Sequence, residues 1–252
     1  MDLAEYEQIN PHFSIVVGDQ TIVYATPNRT TRARVETLFT KEPVTIDWLA
    51  TLGPDDVLVD VGANVGMYSI LAAKLHGARV FAFEPESQNY ALLNRNIAQN
   101  RLDARIKAYC LALSDRAGCS ELYLSNFMVG GSVHSYGEMV DFRLEPMQPA
   151  HRQGCVAETL DALVRSGAVP QPTHIKIDVD GIEHKIIAGA QAVLRDRRLR
   201  SMLIEVNHNL EPHRAMVRAL ANDGWQYDPA QVAAAERKQG TFKGVAEYVF
   251  RR

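Results

Sequence analysis

Residues 57–66 read VLVDVGANVG, and MYSILAAKLH follows at 67–76. An apolar run of strand length passes directly into a turn bracketed by Gly62 and Gly66, and a helix is expected from about Val65 to His76. A buried strand that enters a helix through a glycine turn is the opening unit of an α/β fold with a parallel sheet covered on both faces.

The same alternation extends downstream. RVFAF (79–83) precedes a helix through ALLNRNIAQN, and IKAYCLAL (106–113) and SELYL (120–124) read as strands. After a long Gly-containing segment, 126–154, come the helix TLDALVRSG and the strand HIKIDV. A helix over Ile182 to Leu194, the strand SMLIEV and a helix from about Pro212 to Ala221 follow, and WQYDP with GVAEYVF reads as a terminal antiparallel pair. Upstream, FSIVVGDQTIVYA (13–25) has the form of a β-hairpin turning at Gly18-Asp19-Gln20. TPNRTTRARVETLFTKEP reads as a polar connector, with a helix from about Val44 to Leu52 beyond it. The expected organisation is an extension over 1–43 and an α/β domain over 44–252.

The 252 residues carry a net charge of −3 with both signs interspersed and no Lys/Arg run, so a nucleic-acid partner is not expected. Three cysteines without a CxxC spacing argue against a disulfide framework or a structural zinc and suit a reducing cytoplasm. The acidic start MDLAEYEQINPHF does not read as a signal peptide, and no apolar run approaches the ~20 residues of a membrane span.

Ligands of parallel α/β sheets bind outside the carboxyl ends of the strands. At the first such end, a dinucleotide pattern G-x-G-x-x-G begun at Gly62 fails at Asn64 and Met67, and begun one residue earlier it fails at Val61 and Ala63. An acid, Asp60, followed by Gly-x-x-x-Gly remains, which suits a ligand without a pyrophosphate. The second strand ends in Glu84, followed by Pro85. A carboxylate about twenty residues after the glycine turn is placed to accept from both hydroxyls of a ribose. A nucleoside without pyrophosphate points to S-adenosylmethionine.

The ordered set TRARVETLFTKEPVTIDWL, VLVDVGANVGMYSILAA, VFAFEPESQNYALLNRNIAQN, ALSDRAG, TLDAL and IKIDVDGIEHKIIAGA with SMLIEVN spans about residues 30 to 207. It resembles the FkbM family of S-adenosylmethionine-dependent methyltransferases. The resemblance implies a Rossmann-like class I methyltransferase sheet of seven mostly parallel strands, the last antiparallel. It also implies O-methylation of a sugar, glycolipid, polysaccharide or secondary metabolite. By position, Asp60, Gly62, Ala63, Asn64 and Gly66 would surround the methionine part of the cofactor, Glu84 and Pro85 the ribose, and Ser114 and Asp115 the adenine. Asp180 stands where Glu is commoner in the family.

Residues 175–184, IKIDVDGIEH, concentrate charge at the end of a core strand. Asp180 and Glu183 have the spacing of a capping box for the helix that follows. His184 falls off the apolar stripe. Lys176 lies inside the strand, where an unpaired ammonium is too costly, so a carboxylate from a neighbouring strand, Asp60 or Glu205, is expected beside it. Asp178 has no local cap to serve and is the leading active-site acid, adjacent to the methyl donor. Methylation of a poor nucleophile needs a base, for which Asp178, His208 and His134 are the candidates. The segment 126–154, which carries His134, is expected to contribute to acceptor selection. Asp178, Glu205 and Asn207 offer an alternative divalent-metal site of oxygen ligands, less favoured because the spacing is not diagnostic. An NAD-type oxidoreductase and a non-catalytic cofactor-binding module are the remaining alternatives.

Overall fold

The computed structural model describes residues 1–252, the side chain of Glu7 excepted. In chain order the strands are β1 (His12–Val17), β2 (Gln20–Ala25), β3 (Val57–Val61), β4 (Arg79–Phe83), β5 (Ile106–Tyr109) and β6 (Ala112–Leu113). Then come β7 (Gly118–Leu124), β8 (Ser135–Tyr136), β9 (His151–Glu158), β10 (His174–Ile177), β11 (Ser201–Asn207) and β12 (Val245–Arg251).

The central sheet has the order β12-β11-β10-β3-β4-β5 and is parallel except for β12. Alternation along β3 divides the core. Leu58 packs with the helices Met67–His76 and Ser87–Gln99, through Ile70, Leu71 and Leu93. Val59 and Val61 face the opposite layer, where Ile186, Leu194, Met216 and Trp225 lie. The chain leaves β3 toward β4 and later returns to its other flank as β10. This reversal opens a crevice at the carboxyl ends of the strands.

The hairpin β1–β2 is fastened to the helix Ser87–Gln99 and its C-cap. Val23 N–H donates to Asn100 Oδ1 (3.0 Å) and Ala25 N–H to Asn96 Oδ1 (2.8 Å), so two asparagines satisfy the free edge of β2. Ile22 and Tyr24 are fully buried, and the Tyr24 hydroxyl donates to the Met67 carbonyl.

Several elements differ from expectation. The central sheet has six strands, not seven. WQYDP makes only the bridge Gln226↔Arg251, because Asp228 accepts from Ala230 N–H and Pro229 opens a helix, Pro229–Ala235. IKAYCLAL is two strands in two sheets, with β6 pairing β9 in a separate four-stranded sheet of order β6-β9-β7-β8. Strand β9 starts inside the supposed loop. It pairs with β7 along seven residues, yet only the small side chains Cys155 and Ala157 face inward, which hides it in the sequence. The polar connector contains a helix, Arg29–Glu36, capped reciprocally by Asn28 and Thr31. The helix expected over 182–194 breaks at Gly189, where a Cβ would lie 2.1 Å from the Ser114 carbonyl oxygen. Its second half starts anew because the Asp161 carboxylate accepts from Ala192 and Val193 N–H.

Candidate active site

The turn after β3 is shaped by the strands beside it. Gly62 and Ala63 N–H both donate to the Phe83 carbonyl (3.0 Å). At Gly62, φ is +78°, and a Cβ would lie 1.9 Å from the Asp178 backbone oxygen. At Gly66, φ is +85°, and a Cβ would meet Leu93 Cδ1 at 2.4 Å. Gly62 is therefore required by the packing of the protein itself, and Gly66 by its left-handed backbone. Gly62→Ala combines a left-handed backbone with overlap against a main chain that cannot swing aside. We expect a loss of about 3 kcal/mol or more, read as a melting temperature lowered by roughly 6–12 °C. Gly154→Ala, with nothing within 4 Å of its Cβ, is the neutral control.

A cavity of about 560 Å³ opens over this turn. One wall is largely apolar, with Phe83 at the end of β4 and Pro85 beyond it, Leu111, Ala112 and Leu113 at β6, and Leu122 and Tyr136 from the small sheet. The opposite wall is charged, with Asp178 and Asp180 after β10, Glu205 of β11 and Arg237. Thr30, Arg34 and Thr37 from the first residues of the chain line a third side, and Gly131, Ser132 and His134 line a fourth. The lining includes five carboxyl groups (Glu42, Glu84, Asp178, Asp180, Glu205) and three cations (Arg34, Lys41, Arg237).

Glu84 is buried at the end of β4. Its Oε2 accepts from Asn64 N–H (2.8 Å) and its Oε1 from Glu86 N–H (2.9 Å), so each oxygen keeps acceptor capacity. Burial pushes its carboxyl up to about 7, against the pull of those two donors. Asn64 has φ +50° and donates from Nδ2 to the Gly131 carbonyl (2.7 Å), fastening the turn to the segment above.

Lys176 is 2% exposed, and its Nζ lies 2.9 Å from Asp178 Oδ2. Its closest partner thus lies one residue past the end of its own strand. Asp60, its register neighbour on β3, adds a second negative charge, and the Tyr68 ring lies 5.1 Å from the ammonium. Burial opposes both charged forms. The pairing outweighs it, keeping Lys176 above the ordinary lysine range and Asp178 below the usual carboxylate range. Asp60 is buried beneath the cavity, where burial raises its pKa and Ser69 Oγ donates to its Oδ2.

Asp180 does not cap a helix. It adopts φ +59° and turns into the cavity, where its Oδ2 accepts from Val133 N–H (2.7 Å). Burial, then the charge of Asp178, pushes its carboxyl up to about 7. Glu183 folds back instead, accepting from Val179 N–H (3.0 Å) and Gly181 N–H, with His213 Nε2 at 3.2 Å. Buried Glu183 and His213 thereby hold the loop that carries the two aspartates. Glu205 meets Arg237 Nη1 at 2.9 Å, and Arg237 also reaches Glu247 (3.1 Å) and Glu42 (3.6 Å). Burial and the charges of Asp178 and Asp180 raise Glu205 well above the usual range.

The other expected residues divide. Gly62, Asn64, Glu84, Pro85, His134, Asp178 and Glu205 all line the cavity. Ala63 and Lys176 line a side recess of about 60 Å³. Gly66 is packed away against Leu93. Ser114 and Asp115 also lie off the cavity, with Ser114 pressed on Gly189, whereas the preceding Leu111, Ala112 and Leu113 line it. His208 is half-exposed, 3.8 Å from Glu236, and outside the cavity. Sequence reasoning missed Arg34, Asn89, Arg237 and Phe242 as lining residues. For Arg34, its place within TRARVETLFTKEP was the one available signal.

The donor set does not fit a divalent cation. Asp178 is engaged by Lys176, Glu205 by Arg237, and Asn207 Oδ1 accepts from Asn209. Among the described residues no group of three His, Cys, Asp or Glu side chains is arranged to hold a metal ion.

Comparison with known proteins agrees with this geometry. Residues 60–228 match the family described as the methyltransferase FkbM domain. The chain is 28% identical over 160 residues to the hexuronic acid methyltransferase AglP of Haloferax volcanii, a match covering 63% of this chain and 59% of that one. It is 43% identical over 68 residues to the 31-O-demethyl-FK506 methyltransferase FkbM of Streptomyces tacrolimicus, covering 27% and 25%. The chain thus spans less than two thirds of the length of either relative. A solved FkbM methyltransferase from Methylobacillus flagellatus shares the fold with a TM-score of 0.51 and 15% identity, over 88% of this chain and 54% of that one.

Proposed function

This chain belongs to the FkbM methyltransferase family, and we propose that it uses S-adenosylmethionine to methylate a hydroxyl of a sugar, glycan or related metabolite. The observation that carries the reading is Glu84, a buried carboxylate at the end of β4 with acceptor capacity left on both oxygens. It faces a cavity whose apolar wall of Phe83, Leu111, Leu113 and Leu122 suits a purine base. Asn64, Gly62 and Asp178 would hold the amino-acid part, and Asp178 also favours a nearby positive charge. When bound, the cofactor supplies a methyl group already activated by its sulfonium.

The chain's own residues then place the acceptor and manage its proton. Asp180, Glu205, Arg237 and Phe242 offer charged hydrogen-bonding groups and one aromatic face on the side away from the apolar wall. Of the acids there, Asp178 is held as a weak base by Lys176, whereas Asp180, near 7, is poised to accept a proton at neutral pH. We therefore assign Asp180 as the base. Residues 1–43 act as an extension that supplies the wall of Thr30, Arg34 and Thr37 to the domain at 44–252. The relative that methylates hexuronic acid supports a sugar acceptor. The unpaired Cys110, Cys119 and Cys155 support a reducing compartment such as the cytoplasm.

Calorimetry tests the cofactor assignment. S-adenosylhomocysteine, the demethylated product, is expected to bind saturably at one site, and NAD is expected not to bind. Tight NAD binding without S-adenosylhomocysteine binding would transfer the protein to the oxidoreductase reading.

A further inference from the structure

Of the three cations that line the cavity, two are paired. Lys41 Nζ meets Glu42 Oε1 at 2.7 Å, and Arg237 is shared among Glu205, Glu247 and Glu42. Arg34, on the helix Arg29–Glu36, is different. Its Nε donates to the Gly130 carbonyl (2.9 Å), and among the described residues this is the guanidinium's one hydrogen bond. No carboxylate of the described residues stands within 4.0 Å of it. The side chain is half-buried, and Nη1 and Nη2 both keep accessible surface.

The loop beneath it fixes where this fork stands. The Gly130-Gly131 pair is gripped from two sides. From one side, the cap residue Asn28 donates from Nδ2 to the Val129 carbonyl (2.8 Å), and Arg34 holds the Gly130 carbonyl. Gly130 has φ +81°, and a Cβ there would meet Thr31 Cγ2 at 2.8 Å, so the helix sits directly on the loop. From the other side, Asn89 Oδ1 accepts from Gly130 N–H (2.7 Å), and Asn64 Nδ2 donates to the Gly131 carbonyl (2.7 Å). Arg34 and Asn64 are thus tied to adjacent carbonyls, one from the helix and one from the glycine turn. Arg34 accordingly lines the side recess together with Gly62, Asn64 and Asp178, whereas Arg237 and Phe242 stand outside it.

The amino-acid tail of S-adenosylmethionine is a zwitterion, so its site needs an anion for the ammonium and a cation for the carboxylate. Asp178, kept ionised by Lys176, can serve the first. Gly62 and Asn64 are uncharged and cannot serve the second. Lys176 and Lys41, the other cations at the recess, are occupied by Asp178 and Glu42. A guanidinium fork matches a carboxylate through two parallel N–H bonds. We propose that Arg34 binds the carboxylate of the cofactor's amino-acid tail through Nη1 and Nη2, while its Nε holds the Gly130 loop. This rests on the cofactor reading above. It makes the N-terminal extension part of the cofactor site, and it leaves Arg237 and Phe242 to the acceptor.

Calorimetry with two ligands tests the proposal. Decarboxylated S-adenosylmethionine keeps the sulfonium and the amine but lacks the carboxylate. The wild type is expected to bind it more weakly than S-adenosylmethionine by roughly 10- to 100-fold, as for one charge-assisted hydrogen bond or more. In Arg34→Gln the amide nitrogen stands where Nε stands along the side chain and can still donate to the Gly130 carbonyl, so only the charged fork is lost. This variant is expected to lose a similar factor in affinity for S-adenosylmethionine and almost none for the decarboxylated ligand. Arg34→Lys, which keeps a charge without the fork, is expected to fall between. Equal wild-type affinity for the two ligands overturns the proposal, even if a variant fails to fold. So does an unchanged affinity of Arg34→Gln for S-adenosylmethionine, or an equal loss for both ligands. An effect confined to the KM of a uronic-acid glycoside, and absent with a neutral one, also overturns it and moves the bound carboxylate to the acceptor. If the wild type binds neither ligand, the cofactor reading itself is wrong, which is a different result from a bound cofactor that ignores Arg34.

Discussion

Asp180→Asn is expected to lower methyl transfer by about 10²-fold or more, with cofactor affinity and melting temperature nearly unchanged. Asparagine has the same size, tolerates the left-handed backbone at φ +59° and can still accept from Val133 N–H through its amide oxygen. What it lacks is the ability to take a proton. The pH profile is the second part of the test. The carboxyl, pushed up to about 7, must be ionised to act as a base, so wild-type kcat/KM should rise with pH through about 7 and level off above it. With S-adenosylmethionine saturating, so that the ionisation of Glu84 no longer contributes, the residual activity of the variant should lose that limb. Near-wild-type turnover in Asp180→Asn would move the base to Glu205 or Asp178.

Glu84→Ala is expected to weaken S-adenosylhomocysteine binding by roughly 10²-fold. The substitution removes an acceptor for the ribose and also strands the N–H groups of Asn64 and Glu86, and each hydrogen bond to a charged group contributes about 1.5–3 kcal/mol. Glu84→Gln, which keeps one acceptor oxygen, should fall between. Because hydroxyl donors favour the ionised carboxylate and its free pKa is about 7, wild-type affinity should decrease as pH falls below about 7, with proton release on binding. An unchanged affinity in Glu84→Ala would mean that the nucleoside lies elsewhere in the cavity.

What the sequence could disclose follows from the range of each interaction. β3, β4, β10 and β11 and their charged ends were legible, because a buried strand declares itself locally by apolar run and by the break into a helix. Asp178, Glu84 and Asn64, read from those ends, all line the cavity. The reasons attached to the glycines were not legible, since the Asp178 carbonyl that forbids a Cβ at Gly62 lies more than a hundred residues away. Asp180 and Glu183 illustrate a local pattern overruled by distant partners. Their spacing is that of a capping box, but Val133 N–H draws one into the cavity and His213 helps hold the other in the core. Arg237 had no local signature at all, because its role comes from three carboxylates on separate segments, Glu42, Glu205 and Glu247. The small sheet was half hidden for the same reason. Its strand β9 is defined by pairing with β7 and buries little of its own.

The measurement closest to the central claim is transfer of an isotopically labelled methyl group from S-adenosylmethionine, followed by mass spectrometry of a panel of acceptors. The panel should pair uronic-acid and neutral glycosides with an amine and a simple carboxylic acid. The account predicts label on a ring hydroxyl oxygen of a glycoside, reduced strongly by Asp180→Asn. Label on nitrogen or as a methyl ester, with none on any hydroxyl, would contradict it.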